Sequence, residues 1–368
     1  MTNGVSQKSV STVGRIRSTS GSIAAIGARR RVSRSASGGH RQLRPKPYAY
    51  RFLKILTRLV LRTIFRVETE GLESIPRHGP IIFLGNHTSV IDPFIAAVFV
   101  PRFIQYVASD SQFRSPFMAF VLGLEGTIPK TKAVSDLETV KQIAGVKREG
   151  RVIGIFPEGQ SGWDGHTLPI VPATDKLVKS LKIPVYVALI RGAYFSWPRW
   201  ARGLRRGRIS IHYRCIIEKH EVRSLSLDEV SRRIRDALEF DSSEWQQRQL
   251  TRFSSPRRAE YLERALFVCP SCERLFTLES DHDILRCRAC GNAVRFGGNT
   301  LFRRLEPGSA EPRFRTIRAW NLWQRGIYER WLAERLRSAA PSTAILAEDG
   351  FDLRTGYKTA KPRPLGRS

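Results

Sequence analysis

No aspartate or glutamate occurs among the first 67 of the 368 residues, although the chain carries 33 acidic side chains. Fifteen lysines and arginines fall in the same stretch, ten through Lys46 and five from Arg51 to Arg66, which is 15 of a formal net charge of +29. An imbalance of that size implies an anionic partner: nucleic acid, an acidic membrane surface or a phosphorylated substrate. Cysteine is also scarce. Of the five, Cys215, Cys269, Cys272, Cys287 and Cys290, the last four form two C-x-x-C pairs, which reads as metal binding rather than disulfides and so as a reducing compartment. The chain further lacks any run of about 18 uncharged apolar residues, which argues against a membrane-spanning helix. The one stretch long enough, IIFLGNHTSVIDPFIAAVFV at 81–100, places Asn86, His87 and Asp92 at mid-depth. No internal repeat appears at solenoid periods.

What is present divides by composition. Residues 1–47 are rich in Ser, Gly and Arg and poor in large apolar groups, so they are expected to be a disordered basic tail. The same composition suits an organelle transit peptide, although a tail on a bacterial protein is the plainer reading. Residues 48–66, YAYRFLKILTRLVLRTIFR, repeat Arg51, Lys54, Arg58, Arg62 and Arg66 at helical spacing, with Phe52, Ile55, Leu56, Leu59, Leu61 and Phe65 between them. This pattern predicts a basic amphipathic helix suited to an anionic membrane interface. A helix packed on its own domain with its cations in water is the alternative.

From there the chain alternates short β-rich runs with helical patterns. Strands are expected near 80–85, 104–108, 126–129, 151–156, 183–190 and 208–217. Helices are expected at 93–100, 113–124, 134–149, 173–181, 226–239, 245–265 and 313–338. This order predicts an α/β fold, a sheet flanked by helices.

The heptapeptide NHTSVID, residues 86–92, follows the strand-like run IIFLG and precedes a proline. Asp92–Pro93 reads as a helix start, so His87 and Asp92 lie on a strand-to-helix loop. On such a turn the carboxylate can hold one imidazole nitrogen while the other faces substrate, as a general base requires. The plainer alternative is that Asp92 only caps and His87 only bonds nearby backbone. A second stretch, RVIGIFPEGQSGWDG at 151–165, runs a buried strand into a Pro, a Glu and a glycine-rich turn. A carboxylate there, beside glycines that let substrate approach the backbone, is a plausible binding device; a solvated turn glutamate is the bland reading.

Together and in this order, the two stretches resemble the glycerolipid acyltransferase family, which includes 1-acylglycerol-3-phosphate acyltransferases. The NHxSxxD motif stands as Asn86, His87, Ser89 and Asp92, and FPEG as Phe156, Pro157, Glu158 and Gly159, followed by Asp164–Gly165. Two looser motifs match as GTIPK, with Gly126, Ile128 and Lys130, and as IPVYVALIRGA around Pro184. The resemblance covers roughly residues 48–240. It implies transfer of a fatty acyl group from acyl-CoA or acyl carrier protein to a hydroxyl of a lysophospholipid, first of all 1-acylglycerol-3-phosphate, in phospholipid synthesis. His87 would then be the general base and Asp92 its orienting partner; Lys130, Glu158 and Gly159 would bind the acceptor. It also implies peripheral attachment to a membrane, on the cytoplasmic face, with a bacterial inner membrane ahead of an organelle. Two positions depart from the pattern. Gln160 and Ser161 stand where the family usually has Thr or Asn and then a phosphate-binding arginine, and Lys130 replaces a more usual arginine. A point charge is no substitute for a bidentate fork, so another lysolipid or a phosphate-free acceptor remains the alternative. Arg191 and Arg151 are the candidate replacements.

C-terminal of this region, CPSC at 269–272 and CRAC at 287–290 are separated by 14 residues. That spacing predicts a zinc ribbon in which Cys269, Cys272, Cys287 and Cys290 hold a structural zinc ion. Cys215, alone in a strand pattern, reads as core. The expected organisation is a tail (1–47), an interface helix (48–66), an acyltransferase domain (67–240), a connecting helix (241–265), the zinc ribbon (266–304), a helical region (305–340) and a second tail (341–368). The tryptophans of 313–338 suit either a membrane interface or packing on the domain. The competing class is a basic zinc-ribbon protein that binds nucleic acid. It leaves NHxSxxD and FPEG unexplained, so no nucleic-acid partner is expected.

Overall fold

A computed structural model of the chain describes residues 47–131, 137–338, 352–355 and 363–367. The two expected tails therefore lie outside the described residues, apart from Pro47 and two short strands near the C-terminus. In chain order the elements begin α1 (Pro47–Ile64), β1 (Arg66–Glu70), β2 (Ile81–Gly85), α2 (Asp92–Val98), β3 (Ile104–Ser109), α3 (Pro116–Leu124) and β4 (Ile128–Lys130). They continue with α4 (Leu137–Arg148), β5 (Val152–Ile155), α5 (Ala173–Leu181), β6 (Val185–Arg191), α6 (Ala193–Ser196), β7 (Arg208–Ile217), α7 (Glu221–Ser224), α8 (Leu227–Leu238) and α9 (Ser242–Gln249). The remainder is β8 (Leu278–Asp281), β9 (Ile284–Cys287), β10 (Ala293–Phe296), β11 (Phe302–Arg304), α10 (Ile317–Ser338), β12 (Asp352–Thr355) and β13 (Arg363–Arg367).

Seven strands form one sheet in the order β1-β7-β6-β2-β5-β3-β4. Every pair is parallel except β6–β7. A parallel sheet needs cover on both faces, which is why β2 is apolar at every position up to Gly85 and wholly buried. Alternate side chains feed two cores. Ile81, Phe83, Ile104 and Tyr213 pack with Leu61 of α1 and Ile95 of α2. Ile82, Leu84, Val185 and Val187 pack with Ile143 of α4, Val178 of α5 and Ile234 of α8. The α/β architecture is therefore as expected. The strand β1 was not: RVETE offers only Val67 as an apolar group, and pairing with β7 makes the strand.

α1 buries Tyr50, Leu61 and part of Lys54 against the domain. Phe52, Ile55, Leu56, Leu59 and Val60 stay exposed beside exposed Arg51, Arg58 and Arg62. Lys54 leaves the cationic face assigned to it, because its ammonium donates to the carbonyls of Val100 and, at 3.3 Å, Arg102. Burial pushes its pKa down to about 8. No helix among the described residues is long and apolar enough to cross a membrane.

The helix expected over 245–265 is corrected to Ser242–Gln249. Leu250 turns left-handed with φ 49°, Phe253 N–H donates to Gly298 O at 2.7 Å, and Ser254 bridges Arg206. These tertiary bonds and Pro256 outcompete the helical ladder. Beyond it, β11-β10-β9-β8 form a second, antiparallel sheet. A third core cluster joins Tyr194, Phe195, Trp200 and Phe253 to Leu262, Leu266, Phe296, Phe302 and Trp320. The cysteine module thus shares apolar packing with the β6–β7 connection. Trp320 is buried in that cluster, so this part of α10 faces protein.

Candidate functional site

β2 is the middle strand, and the chain leaves its C-terminal end into NHTSVID. In open α/β sheets this edge, where strand ends diverge from helix starts, is where ligands bind. Asn86 is fully buried and extends the β2–β6 ladder with its side chain: Nδ2 donates to Ile190 O at 2.9 Å and Oδ1 accepts from Ile190 N–H at 2.7 Å. Asp92 opens α2 with Pro93 behind it. Its carboxylate turns back into the loop, where Oδ2 accepts the N–H groups of Thr88 and Ser89 at 2.7 Å each. The same oxygen lies 3.1 Å from His87 Nδ1. Asp92 has no exposed surface, and burial raises its carboxyl pKa, opposed by His87 and the two main-chain donors. The imidazole keeps about a fifth of its surface exposed. With Nδ1 turned to Asp92, Nε2 is the nitrogen left for a substrate proton.

The FPEG loop closes on this from β5. Glu158 is buried, Oε1 accepting from His87 N–H at 2.6 Å and Oε2 from Leu168 N–H at 2.7 Å. Burial lifts its carboxyl to about 8, against the pull of those two donors. Both oxygens accept from main chain, so Glu158, expected at the acceptor, braces the His87 backbone in this structure. Gly159 turns left-handed, φ 71°, and its N–H donates to Phe156 O. Phe156 lies under the imidazole, with ring centroids 4.8 Å apart, and fits only because residue 85 is glycine. A Cβ there would come within 2.7 Å of the Phe156 ring. Finally, Gly162 N–H donates to His87 O at 3.2 Å, so both main-chain polar groups of His87 are held by this loop.

A family model described as Acyltransferase matches residues 66–191. Among curated relatives, the 1-acyl-sn-glycerol-3-phosphate acyltransferase of Borreliella burgdorferi is 35% identical over 109 residues, 28% of this chain and 42% of that protein. The enzymes of that name from Saccharomyces cerevisiae and Cocos nucifera are 26% and 22% identical over 129 and 135 residues. These cover 34% and 36% of this chain and 42% and 44% of the relatives. The chain thus spans less than half the length of each. A solved structure, the 1-acyl-sn-glycerophosphate (LPA) acyltransferase of Thermotoga maritima, aligns with TM-score 0.47 and 16% identity over 55% of this chain and 80% of that one.

Around this sheet edge the expected cations separate. Lys130 ends β4, at the same sheet edge as His87 but three strands away, about 14 Å at the usual strand spacing. Its ammonium donates to Thr131 O at 3.2 Å. Arg191 ends β6, the strand beside β2. Arg151 precedes β5 and so sits at the opposite edge from His87, paired with Glu149 at 2.6 Å and bonded to Gln105. Sequence reasoning missed Arg199. It is exposed, stacks 4.7 Å from the Trp163 ring centroid, and donates to Ser161 O at 3.3 Å and Gln160 Oε1 at 3.5 Å. A guanidinium from the β6–β7 connection therefore covers the two positions where the loop departs from its family. The same connection is tied to the 86–92 loop by Ser89 Oγ, which donates to Trp197 O at 2.7 Å. The arginine between two tryptophans in SWPRW was the available signal.

The four cysteines converge as expected. Their sulfurs lie within 4.8 Å of one another, with Cys269–Cys290 at 3.6 Å and Cys272–Cys287 at 3.8 Å. Sulfurs about 2.3 Å from a central ion in a regular tetrahedron stand about 3.8 Å apart, so the set fits a four-thiolate metal. Each knuckle closes alike: Glu273 and Gly291 adopt φ 56° and 75° and donate N–H to the carbonyls of Cys269 and Cys287 at 3.0 Å. Cys215 lies apart, half-buried in β7.

Proposed function

We propose that this chain transfers a fatty acyl group from a thioester, acyl-CoA or acyl carrier protein, to a hydroxyl of a lysophospholipid, with 1-acylglycerol-3-phosphate as the first acceptor to test. The observation that carries this is the His87–Asp92 contact, held by main-chain bonds from Asp92 and Glu158. His87 Nε2 takes the acceptor's hydroxyl proton as that oxygen attacks the thioester carbonyl. Collapse of the tetrahedral adduct breaks the C–S bond, and the proton on His87 passes to the departing thiolate. Asp92 keeps the imidazole in the required tautomer and stabilises its transient cation. Arg199 and Arg191, and more distantly Lys130, supply positive charge for the acceptor's headgroup, and Gly159 gives it room. A second reading, an acceptor with a phosphodiester or no phosphate, is favoured by Gln160 and Ser161.

The same proposal includes attachment to an anionic membrane, on the cytoplasmic face, through the exposed apolar groups and arginines of α1. It also includes a zinc ion in the four-cysteine site. With four protein ligands that ion has no open position and serves structure. The test is purified His87→Ala against wild type, with labelled acyl-CoA and a panel of lysolipids. Wild type should acylate at least one lysolipid, and the variant, with an unchanged melting temperature, should acylate none. Normal turnover by the variant would overturn the mechanism.

A further inference from the structure

α10 makes two sets of bonds within two helical turns, one on each side. Toward the acyltransferase domain, Arg318 Nη1 and Asn321 Nδ2 donate to Asp164 Oδ2 at 2.6 Å and 2.8 Å. Asp164 is buried. It stands two residues beyond Gly162, whose N–H holds the carbonyl of His87. Tyr194 Oη, donating to Trp163 O at 2.8 Å, fixes the residue between. Toward the cysteine module, fully buried Gln324 accepts the N–H groups of Phe267 at 2.8 Å and Val268 at 3.3 Å, and donates to Ala265 O at 2.7 Å. Trp320 Nε1 donates to Val268 O at 2.9 Å, and its ring packs on Phe302 of β11. Val268 directly precedes Cys269. Asn321 joins the two sets, because its Oδ1 accepts from Gln324 Nε2 at 2.8 Å. A path of hydrogen bonds and short main-chain links therefore runs from Val268, next to Cys269, through Gln324 and Asn321 to Asp164, and by way of residues 162–164 to the backbone of His87.

We propose that α10 is a strap that makes the geometry of the acyl-transfer site depend on metal occupancy of the four-cysteine site. Arg318 and Asn321 are positioning residues, and the proposal rests on the catalytic reading of His87 given above. The module's strands are only three or four residues long, and a metal on the four sulfurs would hold its knuckles in place against α10. When the knuckles loosen, Val268 no longer fixes Gln324 and Trp320, and the Arg318–Asn321 pair loses its register against Asp164. Asp164 is then a buried carboxylate without its cation, and the loop that carries it shifts to find water.

The experiment uses full-length protein in four forms: zinc-loaded wild type, wild type stripped by a chelator, the double variant Arg318→Ala/Asn321→Ala, and Arg318→Lys. Each is read by metal content, by amide hydrogen exchange over residues 159–168, and by steady-state acyl transfer. The double variant should keep about one metal ion per chain yet exchange faster over 159–168, with kcat lower on the order of tenfold to a hundredfold. Stripping should reproduce both effects, zinc re-addition should reverse them, and Arg318→Lys should retain most of the protection. Should the double variant also lose its metal, Asn321→Ala alone keeps the test, since Arg318 still neutralises Asp164. Unchanged exchange over 159–168 in both the stripped protein and the variant overturns the strap. If exchange responds while wild type acylates no lysolipid, the strap stands and the catalytic reading fails.

Discussion

Around His87 the fixed points are carboxylates; around Cys269 they are sulfurs. Asp92, Glu158 and Asp164 are all buried, and each gives at least one oxygen to N–H groups or to a guanidinium. Burying such groups is costly, and a seven-stranded sheet covered on both faces has apolar packing enough to bear it. The cysteine module has four strands of three or four residues and only a few large apolar groups, among them Leu285, Val294, Phe296 and Phe302. So small a core needs a staple, and four converging thiolates are one. The difference teaches where each part is fragile. Loss of a single contact in the sheet should cost geometry, and loss of a thiolate should cost the module its fold.

That contrast is broken most directly at the sulfurs. Cys287→Ser should lose the metal and with it the order of residues 266–304. Metal binding in small structural sites contributes about 10–16 kcal/mol of apparent free energy at neutral pH, which this module cannot replace. Elemental analysis and hydrogen exchange check it, and a folded, metal-free module would end the distinction. Next in size is Glu158→Ala, which strips the N–H groups of His87 and Leu168 of their acceptor at a cost of about 1–3 kcal/mol each. We expect a protein that melts lower but cooperatively, with kcat reduced at least about tenfold, while Glu158→Gln, keeping one carbonyl acceptor, falls between. Equal activity in all three proteins would remove the strut.

The smallest effect concerns pH. Glu125, where α3 ends, has its carboxyl lifted by burial from an ordinary 4.5 to about 7. The folded state therefore holds that proton more tightly than the unfolded chain, so its contribution to stability is lost as pH rises from about 4.5 to about 7. The loss is on the order of 3 kcal/mol. Glu158, raised to about 8, adds a slope of the same sign. Denaturant melts across this range should show wild type weakening more steeply than Glu125→Gln. Parallel curves would mean that Glu125 titrates normally.

Legibility followed burial. The runs that became β2, β5 and β6 could be read because strands covered on both faces are apolar nearly throughout, as IIFLG and VYVALI are, and β7 could be read from the alternation in RISIHY. RVETE could not, since an edge strand whose partner lies some 140 residues away shows no local pattern. The stretch 245–265 looked helical from composition, and long-range bonds from Phe253 and Ser254 unmade it. Among the expected site residues, His87 and Asp92 meet on the loop as their spacing suggested, and the four cysteines converge. Lys130 lies at the right edge but three strands off, and Glu158 faces inward.

Residue order alone was enough for the α/β class, the histidine–aspartate loop and the metal knuckles, because each depends on groups within a few positions of one another or on a covalent spacing that chemistry restricts. Direction was beyond its reach. Whether Glu158 points outward or to the His87 backbone, whether Arg151 or Arg199 shares the site's edge, and whether α10 touches the loop after β5 all depend on residues 30 to 160 positions apart being brought into contact. Those contacts are set by how sheet, loop and module share one apolar interior, a property of the packed whole that no local stretch encodes.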